Sequence, residues 1–500
     1  MAFWHTGIYG LLLILLCPAG IFCNNVQVAN VGVTPDSPFP GMATVSFDLS
    51  WENSWRLDGT EPNNYDAVWV FAKFRPAGGE WQHVTFNGQK PWGGATIEVS
   101  VGRGALIYRN AAGTGPVSYT DVGIYWDTAG DGLSGGASYD LRVFAIEMVY
   151  VPTGDFTLGN DKVNGDAETF AFVEGNNDDK DFPVTSEDEI TVADNLGSLW
   201  YSSNAGDRNG PIPAEFPKGH SGFYCMKYEI TQAQYVDFFN TLTPTQQGAR
   251  DITDADGKNS DAVVNRNGVV IENGIATTTL PHVPMGFLSQ NDALAYLDWA
   301  ALRPMTELEY EKATRGPANA VKEVFAWGTT ASKTDGRYSL TNAGGANETV
   351  TAATYNANGN LVHGGNVDGG NSGVQASFVQ GSRGPLRAGI FATATSSRAA
   401  SGASYWGIME MSGNLAEGVV GVGTSSGRTF TGLHGDGTLS AAGEANVANW
   451  PRGSGLFLRG GWYDSDWSYP MIADRTFADG TAITDPDERL PYQQFRGVTE

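Results

Sequence analysis

Thiol chemistry is nearly absent from this chain. Its 500 residues include three cysteines, and two of them, Cys17 and Cys23, fall in or beside an apolar leader. Only Cys225 stands in the remaining chain, so neither an intramolecular disulfide nor a thiolate metal cluster can form there. It lies in FYCMKYEIT, an alternating apolar stretch, and is expected to be a buried structural thiol. Large domains do not depend on disulfides. Basic charge is also scarce: 30 Lys and Arg stand against 55 Asp and Glu, a net charge of −25. Phosphate contacts need Lys and Arg, so the deficit argues against nucleic-acid or anionic-membrane binding. The excess carboxylate serves solubility outside the cell or, more specifically, holds cations. The histidines are scattered without ligand spacing. No segment beyond the leader is long and apolar enough to span a membrane.

Residues 1–23 carry no Lys, Arg, Asp or Glu. Ile8 to Leu16 is apolar apart from Tyr9 and Gly10, a length that suits a signal-peptide core and falls short of a span. Cleavage is expected near Cys23-Asn24. Phe22 fits a lipoprotein box poorly, so the expected product is a soluble secreted, extracellular or periplasmic protein. Glycine is abundant at 65 residues and charged residues are only 17%, which favours a loop-rich fold over a helical bundle. Hydrophobic content of 41% is enough for packed cores. The length implies two or three domains.

Residues 24–147 read as all-β. Val45, Phe47, Leu49 and Trp51 alternate with Ser46, Asp48 and Ser50, the period of a half-buried strand. Residues 66–74 and 139–151 are further apolar runs, with Gly and Asn pairs marking turns between. A β-sandwich is expected. Trp51, Trp55, Trp69, Trp81 and Trp92 either pack cores or form a glycan-stacking face. From Met148 a second domain is expected. Thr231 with Gln234, Ser289 with Asp292, and Thr306 with Glu309 are capping boxes, each opening an amphipathic helix. Tyr235, Phe238, Phe239 and Leu242 give the first helix its apolar stripe. Residues 329–404, rich in Gly, Ala, Ser, Thr and Asn, predict long ordered loops; within them GGNVDGGNSG (364–373) is a single copy of a calcium-repeat-like pattern. The acidic 160–220 stretch reads most simply as a solvated loop.

Several motifs occur in a fixed order: MVYVPTGDFTLGN (148–160), LRPMTELEYEKATRG (302–316), Phe325-Ala326-Trp327-Gly328, YWGIMEMSGNLAE (405–417), FLRGGWYDSDW (457–467) and QFRGV (494–498). Together they resemble the formylglycine-generating (sulfatase-modifying factor) family. The resemblance implies a C-type-lectin-like topology: a small twisted sheet, a few helices and many irregular segments. It also implies chemistry. Catalytic relatives oxidise a substrate cysteine with two cysteines that bind copper and follow the Arg-Gly-Gly. Here WYDSDWSYPMIADRTF contains neither cysteine nor histidine, so no catalytic residue is assigned and no copper is expected. Another branch holds iron with three histidines from an added helical domain, which this chain lacks.

The resemblance further implies structural calcium at the Gly-Asn-x-x-Glu motif, here Ser412, Gly413, Asn414, Leu415 and Glu417, with Ala416 where the family has Trp. Asn342 is a second candidate. Calcium takes six to eight oxygens, which carbonyls plus one or two acids supply. The alternative is that Asn414 and Glu417 satisfy buried backbone amides without metal. Tyr463, Asp464, Asp466, Trp467 and Tyr469 mix large rigid anchors with small polar groups, as binding surfaces do; Trp462 is expected to pack inward. Arg459, Arg475 and Arg496 are expected to pair with buried acids. The whole reads as an α+β, loop-rich domain of this type (148–500) behind an all-β sandwich (24–147) and a signal peptide (1–23). The expected function is a secreted, non-catalytic binding or structural protein that engages a protein or glycan. A family oxidoreductase with a rearranged site and a self-assembling extracellular subunit stay open.

Overall fold

The computed structural model describes residues 26–35, 39–133, 136–160, 170–177, 180–330, 339–352, 384–393, 396–463, 465, 468–478 and 484–500. Strand takes 32% and helix 12%, so the molecule is α+β weighted toward sheet. Its first strands are β1 (Gln27–Pro35), β2 (Ala43–Arg56), β3 (Asp66–Pro76), β4 (Phe86–Gln89), β5 (Thr96–Ser100), β6 (Gly104–Tyr108), β7 (Gly113–Trp126) and β8 (Tyr139–Val151). Next come β9 (Phe223–Met226), α1 (Gln232–Phe239), α2 (Pro244–Arg250), α3 (Gln290–Trp299), β10 (Arg303–Pro304) and α4 (Glu307–Arg315). The chain closes with β11 (Ala416–Val420), β12 (Leu456–Arg459), β13 (Gln493–Phe495) and β14 (Gly497–Thr499).

One four-stranded sheet has the order β1-β2-β7-β4. An eight-stranded sheet runs β10-β14-β9-β8-β3-β6-β5, with Gln82–His83 paired beside β3. β3 explains how the two sheets and the helices fit together. Residues 66–74 are all buried, as a continuous apolar run demands. Its Val68, Val70, Ala72 and Phe74 join a core with Val45, Phe47, Leu49 and Trp51 of β2 and Val122, Ile124 and Trp126 of β7. Its Ala67, Trp69 and Phe71 point the other way, into the core that holds α1, α3 and α4. The Trp69 indole donates to Ala300 O at 2.8 Å, just past α3.

The expected domain boundary at 147/148 falls inside β8. That strand pairs with β3 from Tyr139 to Val149 and with β9 from Met148 to Val151. The two halves of the chain therefore share one sheet. The tryptophans do not make a common face. Trp51 and Trp69 lie in different cores, Trp92 meets Tyr119 edge-on, and the guanidinium groups of Arg75 and Arg142 both lie over the Trp81 ring.

All three expected capping boxes are formed, at Thr231, Ser289 and Thr306. Tyr235, Phe238 and Phe239 are buried. Cys225 is buried in β9. The acidic stretch is not a free loop: Phe182, Val184, Ile190, Leu199 and Tyr201 sink into the main core. Glu187 there accepts the backbone N–H groups of Lys218 at 2.6 Å and Ser221 at 2.7 Å. Asp178, Asp179 and residues 364–373 lie outside the described residues. No helix among the described residues is long and apolar enough to cross a membrane.

Candidate functional site

The Gly-Asn motif turns the chain into β11. Gly413 and Asn414 both have positive φ, 91° and 69°, a conformation that Gly and Asn tolerate best. Asn414 then works as a bracket. Its Oδ1 accepts from Leu386 N at 2.8 Å, and its Nδ2 donates to Glu229 Oε2 at 2.5 Å. Glu229 Oε1 accepts the Leu415 N–H at 2.8 Å. Gly413 N donates to Gly460 O at 2.7 Å. Ser412 Oγ donates to Pro470 O at 2.6 Å and accepts from Ala326 N at 2.9 Å. Asn414 thus caps a buried amide, as one sequence reading held, whereas the acid that does so is Glu229.

Glu417 has a different partner. Its Oε1 accepts from Arg496 Nε at 2.6 Å, and its Oε2 accepts from the Gln494 side chain. β11 and β13 run parallel and set Glu417 beside Gln494. Arg496 lies between β13 and β14 and donates to Met226 O of β9 at 3.2 Å. It therefore ties the three-stranded sheet β12-β11-β13 to the eight-stranded one. Burial raises the Glu229, Glu410 and Glu417 carboxyls, and Arg496 opposes the rise in each. Glu410 is pushed up to about 7. Burial alone would lower Arg496, but the charges of Glu417 and Glu229 hold it above its ordinary value.

These contacts decide how well calcium would fit. Both Glu417 oxygens are in use, and a guanidinium fills the space beside them. Asn414 O accepts Tyr463 N at 2.9 Å. That leaves the carbonyls of Ser412, Gly413 and Leu415 without Glu417, the carboxylate that the motif offered them, and so a poorer donor set for a hard dication. Asn342 lies on an exposed turn, its Nδ2 donating to Asn347 O at 3.3 Å. Its loop is anchored by buried Glu348, which pairs with Arg266 and accepts Gly344 N and Arg387 N. Among the described residues no group of three or more His, Cys, Asp or Glu is arranged to hold a metal.

The Arg-Gly-Gly segment closes β12. Arg459 donates to Glu307 Oε2 at 3.2 Å, Glu311 Oε1 at 2.9 Å and Ile472 O at 2.7 Å. Arg475 donates to both Glu307 oxygens, at 2.9 and 3.1 Å. The three arginines thus pair with buried acids, as expected. Gly460 and Gly461 have φ of 79° and 60°, and a Cβ on either would lie 2.9 Å from Met411 O or 2.8 Å from Pro470. The two glycines let the chain pass between α4 and the segment that follows.

That following segment carries no thiol. Copper(I) favours thiolate ligands, and the nearest candidate in the sequence, Cys225, belongs to β9. Burial pushes its thiol up to about 12, so it is not a thiolate at neutral pH. These residues do not fit the copper of catalytic relatives. Of the proposed ligand-binding residues, Tyr463 is buried, and its phenol accepts from Asn265 Nδ2 at 2.8 Å. It is an anchor rather than an exposed contact. Tyr469 is half-buried and meets Phe477 edge-on. Trp462 stacks on Tyr492 at 4.1 Å between ring centroids; it belongs to a small cluster with Phe477 and Leu490 that is separate from the main core. Asp464, Asp466 and Trp467 lie outside the described residues. Glu229, Glu410 and Gln494 were not anticipated. A lone acid between an apolar strand and a helix cap, as in Tyr228-Glu229-Ile230-Thr231, was the available signal for the first.

The sequence matches the Sulfatase-modifying factor enzyme 1-like domain (FGE-sulfatase) over residues 141–484. The chain belongs to that family. The match opens within β8, on the strand that the sulfatase-modifying-factor domain shares with the N-terminal sheets. A search of curated proteins found no match.

Proposed function

We propose that this protein is a secreted, non-catalytic member of the sulfatase-modifying-factor family, acting as a binding or structural protein. One observation carries the proposal: the segment after Arg459-Gly460-Gly461 offers neither thiolate nor imidazole. Removal of both soft ligands takes away the oxygen-activating centre of the catalytic relatives. What remains is a rigid frame, with buried arginines clamped to α4 and β11, on which the 462–477 aromatic segment is carried. A partly buried aromatic cluster with small polar neighbours suits a protein or glycan surface. The C-type-lectin-like topology and the sandwich character of the N-terminal sheets belong to the same proposal.

Two measurements on the purified chain test this. Incubation with oxygen, copper(I) and a cysteine-containing sulfatase-type peptide is expected to leave the peptide mass unchanged. Metal analysis is expected to find no stoichiometric copper or iron. Formylglycine product, or bound copper, overturns the proposal. Calcium at the Ser412–Leu415 carbonyls is checked in the same preparation: a melting temperature lowered by chelator supports a structural ion, and an unchanged one removes it.

A further inference from the structure

A cleft of about 280 Å³ opens where the N-terminal sheets meet the family domain. Its lining includes none of Trp462, Tyr463, Tyr469 or Phe477. One wall comes from the end of β2 and the turn after it, including Trp55 and Pro62. The other comes from residues 392–393 and 396–409, including Tyr405 and Trp406. The volume is near the lower end of the roughly 300–1,000 Å³ of small-molecule sites, which favour boundaries between structural units.

The walls are fixed before any ligand arrives. Trp55 Nε1 donates to Asn64 Oδ1 at 3.1 Å, and Asn64 Nδ2 donates to Trp406 O at 2.7 Å. Tyr405 Oη donates to Glu61 Oε2 at 2.9 Å. Gly407, with φ of 97°, lies against the Trp55 ring, and a Cβ there would come within 2.8 Å of it. Preorganised walls reduce the cost of ordering on binding.

Two cations line this cleft, and they differ. Lys227 is buried and committed to Glu147 at 3.0 Å and Asp66 at 3.5 Å. Arg398 has no carboxylate partner among the described residues. Its Nε and Nη2 both donate to Ala326 O, at 3.1 and 2.6 Å, and its plane lies near the Tyr405 ring. Among the described residues Nη1 has no hydrogen-bond acceptor; it lies against Gly328. In a chain with 55 acids and 30 bases, a partly buried guanidinium without an acid is a site of unmet charge. With the Nε–Nη2 edge on Ala326 O, the Nη1 end can still donate to a carboxylate.

We infer that this cleft binds a small aromatic carboxylate, with the ring against Trp55 and Tyr405 and the acid group on Arg398. The nearby Glu61 carboxylate and the net charge of −25 disfavour anions elsewhere on this face, so affinity depends on Arg398. The probes are phenylacetate, 3-phenylpropionate and indole-3-acetate, each compared with its uncharged amide. Titration calorimetry on the full chain is expected to show saturable binding of at least one acid. Its amide should bind at least about tenfold more weakly, the scale of a charge-assisted hydrogen bond. In Arg398→Gln the acid should fall to the level of the amide, while Arg398→Lys should retain part of the preference. A thermal melt establishes that each variant is folded. The inference fails if no acid saturates the wild-type chain, if acids and amides bind alike, or if folded Arg398→Gln keeps the preference. Should Arg398→Gln not fold, the wild-type comparison and Arg398→Lys decide alone.

Discussion

Arg496 carries a full charge into a place with no access to water, and three carboxyls share it. Its contact with Glu417 is the closest of these. Deleting one member of such a pair strands the other, which typically costs about 3–5 kcal/mol. Arg496→Met is therefore expected to lose that much stability in denaturant melts. Glu417→Gln in the same background should recover part of the loss, since it removes the stranded charge; a purely additive double variant contradicts this account. A second residue, Asp298 at the end of α3, gives a pH signature. Burial pushes its carboxyl from 3.8 up to about 7, against the amides of Asn446 and Asp436 that it accepts; Asp436 adds to the rise, and Lys73 opposes it. The folded protein therefore keeps a proton that the unfolded chain releases between 3.8 and 7. This contribution to stability is fully present below 3.8 and disappears as pH rises through 7. Asp298→Asn should flatten that part of the stability profile while costing about 1–3 kcal/mol for a buried amide left short of an acceptor. An unchanged slope from pH 4 to pH 7 would contradict the assignment.

Among the elements, helix starts were the most legible part of the sequence. Each capping box puts a hydroxyl and an acid or amide three residues apart, so the signal is local and needs no fold. α2 escaped notice although Thr243, Pro244 and Gln246 form the same signal with proline at the first helical position; its brevity and lack of an apolar stripe hid it. The caps are not equal. Thr306 Oγ1 accepts from Glu309 N at 3.1 Å and also donates to Pro217 O at 3.0 Å, where the bond is partly buried. Thr243 caps a partly exposed helix and, among the described residues, its hydroxyl has only the first kind of bond. Thr306→Ala should cost about 2 kcal/mol and Thr243→Ala about 0.5–1 kcal/mol, read as shifts in denaturant midpoint; equal shifts would show that the second bond adds nothing. The buried arginines could be anticipated because a guanidinium inside a protein needs a carboxylate. Which carboxylate could not be. Asn414 and Glu229 are separated by 185 residues, and no local pattern encodes such a meeting. The motif alone points to Glu417 as a calcium ligand, and its contact with Arg496 depends on β11 and β13 lying side by side.

In the whole molecule, the strand that spans the expected boundary has the widest effect. Each half reads as a self-sufficient unit, because alternation and caps report which faces are apolar and not what covers them. β8 shows what they omit: one end pairs with the N-terminal strands and the other with the family domain. β3 adds the second tie, since alternate residues enter two different cores. Trp69 and Lys73 reach across from β3 to Ala300 O and Gly437 O, at 2.8 and 2.5 Å. Separate domains joined by a linker would melt independently, whereas units sharing a sheet and a two-sided strand expose both cores when either opens. The chain is therefore expected to unfold in one transition. Calorimetry should give a single peak, and near- and far-ultraviolet circular dichroism should change together. A chain beginning at Leu141, where the family match begins, would lose β3, strip the pairing partner from most of β8 and uncover the Phe144, Ile146 and Trp299 surface. That chain should aggregate or lack a cooperative melt. Two resolved transitions in the full chain, or a soluble fragment with an undiminished melting temperature, would show that the shared sheet is only a contact between independent domains.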